Sequence, residues 1–465
     1  MAMQIIRFAP DGWSARVGED FTPENVVRVA DALGKLWGTE HPGGRVYVGY
    51  DTRAGADAFA RLAGEVIASY GLDVVLSETF CPTPALGWTV ANDKRACGGV
   101  MITASQESAS YLGIRVRMPD GGTCPEEELR VIEALVEPVP SSQRGVVSLA
   151  DVVTPYKESL EALLDADAIR SAGLTVVHDP MYGAAREVFA GILRDLDVNV
   201  IAIHDGESEG FGGLHPDPVE PWVDECEQAV VENHAVAALV QDGDGDRLGA
   251  VDEQGRFVAV QTLVPLILDH LVENRGLTGR VVLNVSGSTL TRREARRLGC
   301  RLTITPIGFA RLHGEMLRGD VLLGSDGEGG IAVPSHLAER DGILASLLVV
   351  EAMAMRGKTL GQLVAELEEK AGHMDYGRRD IRLDAATVQS LRNMLPGMNP
   401  PAVAGMEPVS VSHADGLRLQ FADESWVLVR PSRAESLVRI YAEAPTVEER
   451  DALIEGGCAL ARGDA

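Results

Sequence analysis

A strand–helix–strand pattern occurs three times along this chain and limits its fold more than any other feature. The three stretches cover residues 45–76, 173–203 and 279–304, and each begins with a β-rich run, passes through a helix and ends in a second β-rich run. Such a unit places its two strands parallel in one sheet, with the helix crossing over one face. Three copies of one unit predict three similar α/β domains in tandem.

The sequence after about residue 372 follows a different pattern, and this predicts a fourth domain of the α+β type. Its short β-rich runs and closing helix replace the long α/β units. The predicted domains cover residues 1–142, 143–254, 255–371 and 372–465. Because the strand-end loops of such domains meet in a crevice, we expect a central cleft built from one loop of each domain.

Charge and composition exclude several classes of function. The formal net charge of −27 argues against binding to nucleic acid or to anionic membranes, since both require a basic face. An acidic protein that binds an anion must do so with a local cluster of arginines. The six cysteines form no CxxC pair, and the chain has neither a signal pattern nor an apolar run of 18 residues, so we expect a cytoplasmic protein.

Residues 241–247 carry the strongest chemical signal, because Asp242, Asp244 and Asp246 alternate with glycines. Alternate side chains of an extended loop project to one side, so the three carboxylates can converge on one hard cation such as Mg²⁺. Two alternatives are a solvated acidic turn and a calcium-binding EF-hand with Glu253 as its last ligand. The EF-hand is the weaker one, because Arg247 stands where that loop needs glycine and a strand is predicted to follow.

Serine and arginine loops mark two other domains. The apolar run before Ser105 ends in small hydroxylated residues, which suits a serine offered on a tight turn, although Ser105 could instead be the N-cap of a helix. The fourth domain has a loop that could bind a phosphate through Arg430, Ser432 and Arg433, because the N–H donors of a guanidinium group match the geometry of phosphate oxygens. The alternative for this loop is a solvated basic turn paired with nearby acids.

A glycine-rich loop at residues 323–331 supplies the third domain's contribution. It exposes Asp326 and Glu328, two carboxylates that could grip vicinal hydroxyls. The alternative is an ordinary flexible loop.

Together these loops resemble the motifs of the α-D-phosphohexomutase superfamily, the phosphoglucomutase and phosphomannomutase enzymes. Residues 8–13 resemble the family's FGTDGWRG start, 99–105 its GVMITASHNP loop, 242–247 its DGDADR loop, 324–331 its GGEESGGI loop and 430–443 its RPSGTEPxxRxYxE loop. The resemblance covers nearly the whole chain. It implies three α/β domains and a fourth, TBP-like domain.

The resemblance also implies an activity, namely the interconversion of hexose 1-phosphate and hexose 6-phosphate, with glucose or mannose as the sugar. Ser105 would be the phosphoserine, and Asp242, Asp244 and Asp246 would hold Mg²⁺ beside it. Arg247 would steady the phosphoryl group in transfer, and a hexose 1,6-bisphosphate would be the intermediate. Arg430 and Ser432 would hold the phosphate that does not react. The implied partner is a small sugar phosphate, with the protein a monomer or a dimer.

Several positions depart from the family pattern. Gln106 replaces the histidine after the serine, and Glu107 stands where the family has asparagine. Arg115 replaces a lysine and cannot act as a general base, because it stays protonated. Ser14 replaces the arginine of the opening motif.

The sugar and phosphate loops depart as well. Asp326 and Glu328 replace a glutamate and a serine, while Arg433 and Ala434 replace glycine and threonine. We therefore expect an active mutase with altered substrate preference, in which Glu107 or a sugar-loop carboxylate takes over proton transfer and Arg433 replaces lost phosphate contacts. The alternatives are a non-catalytic descendant that binds a sugar phosphate or a protein partner and, more weakly, a phosphatase.

Overall fold

The structure is a computed structural model that describes residues 5–208, 210–432 and 436–463. Three α/β units with mainly parallel sheets are followed by a smaller antiparallel unit, so the predicted fold class is confirmed. Within the described residues, none of the helices combines the length and the apolar character that a membrane span requires.

The first sheet contains six strands in the order β1-β5-β4-β2-β3-β6. Its elements are β1 (Trp13–Arg16), α1 (Pro23–Glu40), β2 (Arg45–Tyr50), α2 (Ala56–Ala68), β3 (Asp73–Ser77), α3 (Thr83–Asn92), β4 (Ala96–Ile102), β5 (Tyr111–Arg117), α4 (Glu126–Leu135) and β6 (Ser148–Ala150). Thr22 is the N-cap of α1, since its side chain accepts from the Asn25 amide. Because β6 pairs with β3, this sheet includes residues 148–150.

The second sheet has five strands in the order β11-β10-β9-β7-β8. Its elements are α5 (Val153–Glu161), α6 (Ala166–Ala172), β7 (Thr175–Asp179), α7 (Arg186–Asp195), β8 (Asn199–Ala202), α8 (Asp224–Glu232), β9 (Ala237–Gln241), β10 (Leu248–Asp252) and β11 (Phe257–Val258).

The third sheet has four strands in the order β13-β12-β14-β15. Its elements are α9 (Val260–Asp269), β12 (Arg280–Asn284), α10 (Thr289–Arg297), β13 (Leu302–Thr305), α11 (Phe309–Met316), β14 (Val321–Ser325), β15 (Ile331–Ala332), α12 (Gly342–Arg356) and α13 (Leu360–Ala371). Helix α12 is buried over its first twelve residues and joins a continuous apolar core with side chains of all three α/β domains.

The fourth sheet is antiparallel throughout, in the order β16-β20-β19-β18-β17. Its elements are β16 (Asp375–Arg382), α14 (Ala385–Met394), β17 (Ser410–Ser412), β18 (Leu417–Gln420), β19 (Trp426–Pro431), β20 (Leu437–Ala444) and α15 (Val447–Arg462). It has a core of its own and meets the third domain through a cluster that includes Val285, Trp426 and Tyr441.

The three α/β domains place their key loops at the same point of the repeat. In each copy, a central strand pairs in parallel with the first strand of the unit and then turns back into an antiparallel neighbour. These turns are residues 103–110 between β4 and β5, 242–247 between β9 and β10, and 326–330 between β14 and β15. The repeat therefore brings three equivalent hairpin loops to one centre.

Candidate active site

A cavity of about 320 Å³ lies where the four domains meet. Its charged lining residues are five arginines and four acids: Arg115, Arg247, Arg340, Arg430 and Arg439, with Asp11, Glu107, Asp326 and Glu328. Every domain contributes at least one of the arginines. A protein of net charge −27 thus concentrates positive charge in its central cavity, as an anionic ligand requires.

Ser105 lies beneath this cavity, and its hydroxyl donates to the Oδ2 atom of Asp242 at 2.5 Å. Ser105 is buried, while its neighbours Ala104 and Gln106 line the cavity. Its φ of 50° lies in the left-handed region, an uncommon conformation for serine that often marks functional sites. No helix begins here, so the N-cap interpretation is wrong; the hairpin turns directly into β5.

One buried arginine fixes the backbone of this serine loop. The Arg53 guanidinium donates to the carbonyl oxygens of Ser105 at 2.5 Å, Glu107 at 2.6 Å, Ser108 at 2.7 Å and Tyr111 at 3.1 Å. Sequence reasoning missed Arg53, although its place at the exit of β2, the first strand of the repeat, is a signal that could have found it.

The three aspartates of the second domain converge as predicted. One oxygen of each lies within 4.8 Å of those of the other two, and all three side chains are buried. Two positions of this loop require glycine. Gly245 has a φ of +75°, which other residues rarely adopt, and a Cβ on Gly243 would clash with the Ser105 carbonyl oxygen at 2.5 Å. The metal loop and the serine loop are therefore packed backbone to backbone.

Burial and mutual repulsion control the charges of this cluster. Burial, then Asp244 and Asp246, raise the pKa of Asp242 well above its usual value. Burial also raises the pKa of Asp246. Although burial opposes it, Arg115 and a hydrogen bond from Thr83 hold the pKa of Asp244 below its usual value.

The cluster has the donor set of a site for a hard cation. The Oδ1 atoms of Asp244 and Asp246 are buried without a hydrogen-bond partner, an arrangement that costs free energy unless a cation binds them. The acidic-turn alternative is wrong, since these side chains are not solvated. The EF-hand alternative is also wrong, because the strand β10 follows and Glu253 accepts from the Gly361 amide instead.

Two of the predicted arginines flank this cluster. Nη1 of Arg115 lies 3.5 Å from Oδ2 of Asp244 and 3.3 Å from Oδ2 of Asp246. Arg247 donates to the Glu328 carbonyl oxygen at 3.0 Å and so joins the metal loop to the sugar loop. Both line the cavity.

The predicted sugar loop is tethered rather than free. Asp326 accepts from the amides of Glu328 at 2.8 Å and Gly330 at 3.1 Å. Glu328 accepts from the Tyr441 hydroxyl at 2.9 Å and from Arg378 at 3.1 Å, so this loop contacts the fourth domain. Burial raises the pKa of Asp326 to about 6, against the lowering effect of Arg247 and Arg340.

Arg340 occupies the middle of the charge network and was missed by sequence reasoning. Its guanidinium lies 3.3 Å from Asp246, 3.4 Å from Asp11 and 3.9 Å from Asp326, and thus connects acids of three domains. It stacks on the Phe309 ring at 4.9 Å. No motif marks it; the only signal is its position just before Asp341, which caps α12.

The predicted phosphate loop is only partly within the described residues. Arg430 lines the cavity and pairs with Asp415 at 3.0 Å, so it faces the cleft rather than bulk water. Ser432 is buried and its amide donates to the Leu437 carbonyl, but it is not among the cavity's described lining residues. Arg433 lies outside the described residues. Arg439 lines the cavity as well.

The two residues after Ser105 face the cavity in different ways. Glu107 is exposed at its edge, whereas the Oε1 atom of Gln106 is buried without a partner. Both residues therefore form part of the cavity wall.

Comparisons with known proteins agree with this architecture. Three family models match, described as phosphoglucomutase/phosphomannomutase α/β/α domain I at residues 6–142, domain II at 154–255 and domain III at 261–371. The chain is 28% identical to a phosphoglucomutase/phosphomannomutase of Thermococcus kodakarensis, over 97% of this chain and 98% of that protein. It is 30% identical to a phosphoglucosamine mutase of Moorella thermoacetica, over 98% and 99%.

A solved structure extends the likeness to three dimensions. The crystal structure of a candidate phosphomannomutase from Thermus thermophilus superposes with a TM-score of 0.88 at 34% identity, covering 98% of this chain and 99% of that one. The chain therefore belongs to the α-D-phosphohexomutase superfamily and is an intramolecular phosphotransferase that acts on hexose phosphates.

Proposed function

We propose that this enzyme interconverts the 1-phosphate and 6-phosphate of glucose or mannose through a phosphoserine at Ser105 and a hexose 1,6-bisphosphate. The observation that carries the proposal is the 2.5 Å hydrogen bond between Ser105 and Asp242, placed against a cavity that all four domains line. A nucleophilic hydroxyl, an acidic metal loop and an arginine-rich pocket are the parts that phosphoryl transfer needs.

In the proposed reaction, a free hydroxyl of the bound hexose monophosphate attacks the phosphorus of phosphorylated Ser105. The bond from phosphorus to Oγ breaks, and its electron pair stays on the serine oxygen, which takes up a proton from Asp242. The proton of the attacking hydroxyl passes to a carboxylate of the cavity. The bisphosphate then reverses its orientation, and Ser105 accepts the other phosphoryl group. Asp242, which accepts from the free Ser105 hydroxyl, is placed to take the serine proton in this return step.

Asp242, Asp244 and Asp246, with the Ser105 oxygen, would hold Mg²⁺. Bound there, the ion would offset negative charge on the transferring phosphoryl group. The two unpartnered Oδ1 atoms support this assignment.

The arginines of the cavity would hold the two phosphates at opposite ends of the sugar. Arg115, Arg247 and Arg340 surround the metal loop, while Arg430 and Arg439 belong to the fourth domain. Arg340 also supplies positive charge in a cavity where Ser14 replaces the arginine of the family motif.

Replacing Arg340 with methionine tests that role. We expect Arg340→Met to raise KM for hexose phosphate by roughly 10-fold or more, because a charged hydrogen-bond donor to phosphate is lost. Steady-state kinetics measures it, with Arg311→Met as the matched control, since Arg311 is an exposed residue of the third domain. An unchanged KM in Arg340→Met would contradict the role.

Asp326 is our choice for the carboxylate that moves the substrate proton. Its pKa of about 6 suits an acid–base group near neutral pH, and it lines the cavity. We expect Asp326→Asn to lower kcat by roughly 10²- to 10⁴-fold and to remove a limb near pH 6 from the pH profile of kcat/KM.

The stability of the protein provides a second readout for Asp326. Its pKa rises from 3.8 to about 6 on folding, so the folded state binds the proton more tightly, and stability falls as the pH increases from about 4 to 6. This pKa difference corresponds to a change of ~3 kcal/mol in the free energy of unfolding across that pH range. Asp326→Asn should abolish this change. Glu328→Gln is the control. Although burial opposes them, Arg378 and Arg247 lower the pKa of Glu328, so this variant should keep the limb near pH 6 in the pH profile of kcat/KM.

A substrate panel tests the proposed function itself. Protein shown by mass to carry phosphate is incubated with Mg²⁺ and with glucose 1-phosphate or mannose 1-phosphate, each with its 1,6-bisphosphate. We expect formation of the 6-phosphate. Turnover of glucosamine phosphate alone would overturn the sugar assignment, and no turnover of any hexose phosphate would overturn the function.

A further inference from the structure

A turn of the first domain, residues 117–123 at the end of β5, packs against the segment of the third domain that leads into Arg340. A Cβ on Gly122 of this turn would lie 2.0 Å from the His313 ring, so the backbone and the ring are in close contact. The Nδ1 atom of His313 in turn donates to the Ala338 carbonyl at 2.6 Å. The chain just before Arg340 is therefore held against the first domain.

A buried ion pair joins the two domains at this contact. The Nη1 atom of Arg117 lies 2.9 Å from Oε2 of Glu339, and the same carboxylate oxygen accepts from the Thr123 amide at 2.5 Å. Arg117 and Glu339 are each only 1% exposed. The Nε and Nη2 atoms of Arg117 are buried without a hydrogen-bond partner among the residues that the structure describes, so the balance of its charge depends on Glu339.

The other oxygen of Glu339 is directed at Arg340. Oε1 accepts from the Arg340 amide at 3.0 Å and lies 3.6 Å from Nε of the same residue. One oxygen of Glu339 thus binds the first domain, while the other binds a residue that lines the central cavity. Although burial opposes it, Arg117 and Arg340 hold the pKa of Glu339 below its usual value, so the carboxylate is charged at neutral pH.

The contacts of Arg340 with acids of the cavity are long and do not fix its guanidinium on their own. Its nitrogen atoms lie 3.3 Å from Asp246, 3.4 Å from Asp11 and 3.9 Å from Asp326. These distances exceed the usual length of a charge-assisted hydrogen bond. Its Nε atom has no hydrogen-bond partner in the described part of the chain. The position of the guanidinium therefore depends on how the backbone of this residue is anchored, and Glu339 provides an anchor.

We infer that Glu339 and Arg117 are positioning residues for the mutase reaction, because their ion pair holds Arg340 where it can bind the hexose phosphate. Neither residue of the pair lines the cavity, so they act through Arg340. The inference rests on the proposed role of Arg340 in binding the substrate. Since the pair joins two domains, it also ties the position of Arg340 to the domain that carries Ser105.

Calorimetric binding of glucose 1-phosphate to the full-length protein tests the inference. Every protein in the series carries Ser105→Ala, so that binding is measured without turnover. We expect Glu339→Gln to weaken binding by roughly 3- to 10-fold when Arg340 is present, but by less than about 2-fold when Arg340→Met is present. Glutamine has a single acceptor oxygen, whereas Glu339 accepts from the Thr123 and Arg340 amides on separate oxygens.

Glu351→Gln is the matched control for a buried acid between domains. Glu351 is likewise 1% exposed, accepts from the Asp165 amide at 2.6 Å and pairs with His270 at 2.7 Å, and it does not line the cavity. This substitution should lower Tm, because it removes a buried charge from an ion pair. It should leave the affinity for glucose 1-phosphate unchanged.

A double variant separates positioning from stability. Glu339→Gln alone leaves Arg117 buried without its counter-ion, which should lower Tm by roughly 3 °C or more. Arg117→Met combined with Glu339→Gln removes both charges and should melt near the wild type. We expect this double variant to keep the weakened binding of glucose 1-phosphate, since Arg340 still lacks its anchor.

Two results would overturn the inference. One is an affinity that Glu339→Gln leaves unchanged while Arg340→Met weakens it, and the other is an equal loss with and without Arg340. Unchanged binding in Arg340→Met would overturn the proposed role of Arg340 and, with it, the inference. Because binding is measured without turnover, a wild type that fails to interconvert these hexose phosphates would contradict the proposed function alone.

Discussion

We expect Ser105→Ala to lose about 80 Da of bound phosphate in intact-mass analysis and to lower mutase turnover by roughly 10⁴-fold or more. Both expected changes have one cause: the variant lacks the hydroxyl that we propose stores the phosphoryl group and accepts it back. The fold should survive, because Arg53 holds this loop through backbone carbonyls that the substitution leaves in place. We expect a cost of ~1–2 kcal/mol in stability, since Asp242 loses a donor.

Ser108→Ala is the matched control for this substitution. Ser108 lies on the same loop, but among the residues that the structure describes its hydroxyl bonds to the Ser110 hydroxyl alone, at 2.9 Å, and Ser108 does not line the cavity. We expect it to keep the additional mass and nearly full activity. If Ser105→Ala kept the phosphate, or if Ser108→Ala lost it, the phosphorylated residue would be a different one.

Asp246→Asn should lower turnover by roughly 10²- to 10³-fold and abolish the stabilisation of the protein by Mg²⁺. Burial raises the pKa of Asp246, so the metal-free folded state disfavours its negative charge. In EDTA, the neutral asparagine should therefore be as stable as aspartate or more so. Thermal unfolding with and without Mg²⁺ measures both effects, since only the wild type should gain stability from the ion.

Asp252→Asn is the control on the same hairpin. Asp252 ends β10, is buried and pairs with Arg256 at 2.7 Å, away from the cavity. It should lose some stability and keep the full response to Mg²⁺. An equal response of Asp246→Asn and wild type would show that Asp246 is not a metal ligand.

The sequence predicted the fold well because the fold is a repeat. Periodic β-rich runs at the start of each unit are local signals, and β2 begins at residue 45, where the first of the three predicted stretches begins. The metal loop was also predictable, because three acids at alternate positions can converge without help from the rest of the chain. The structure of the loop after β4 was harder to predict, because the same small residues can begin a turn into a helix or a turn into a strand.

Residues whose role depends on distant partners gave only a weak local signal, namely a position at the end or the start of an element: Arg53 follows β2, and Arg340 precedes the N-cap of α12. Arg340 acts on Asp11 and Asp246, more than 90 residues away in each case, and Arg53 reaches carbonyls more than 50 residues further along the chain. Tertiary packing, rather than any motif, brings these charges together.

A chase of labelled phosphoserine tests the central claim most directly. Protein carrying ³²P at Ser105 is mixed with unlabelled glucose 1-phosphate or mannose 1-phosphate, and a single turnover is quenched and separated. We predict that the label leaves the protein and appears in hexose bisphosphate and then in hexose 6-phosphate. Label that stays on the protein, or that is released only as inorganic phosphate, would contradict a mutase that stores its phosphoryl group on this serine.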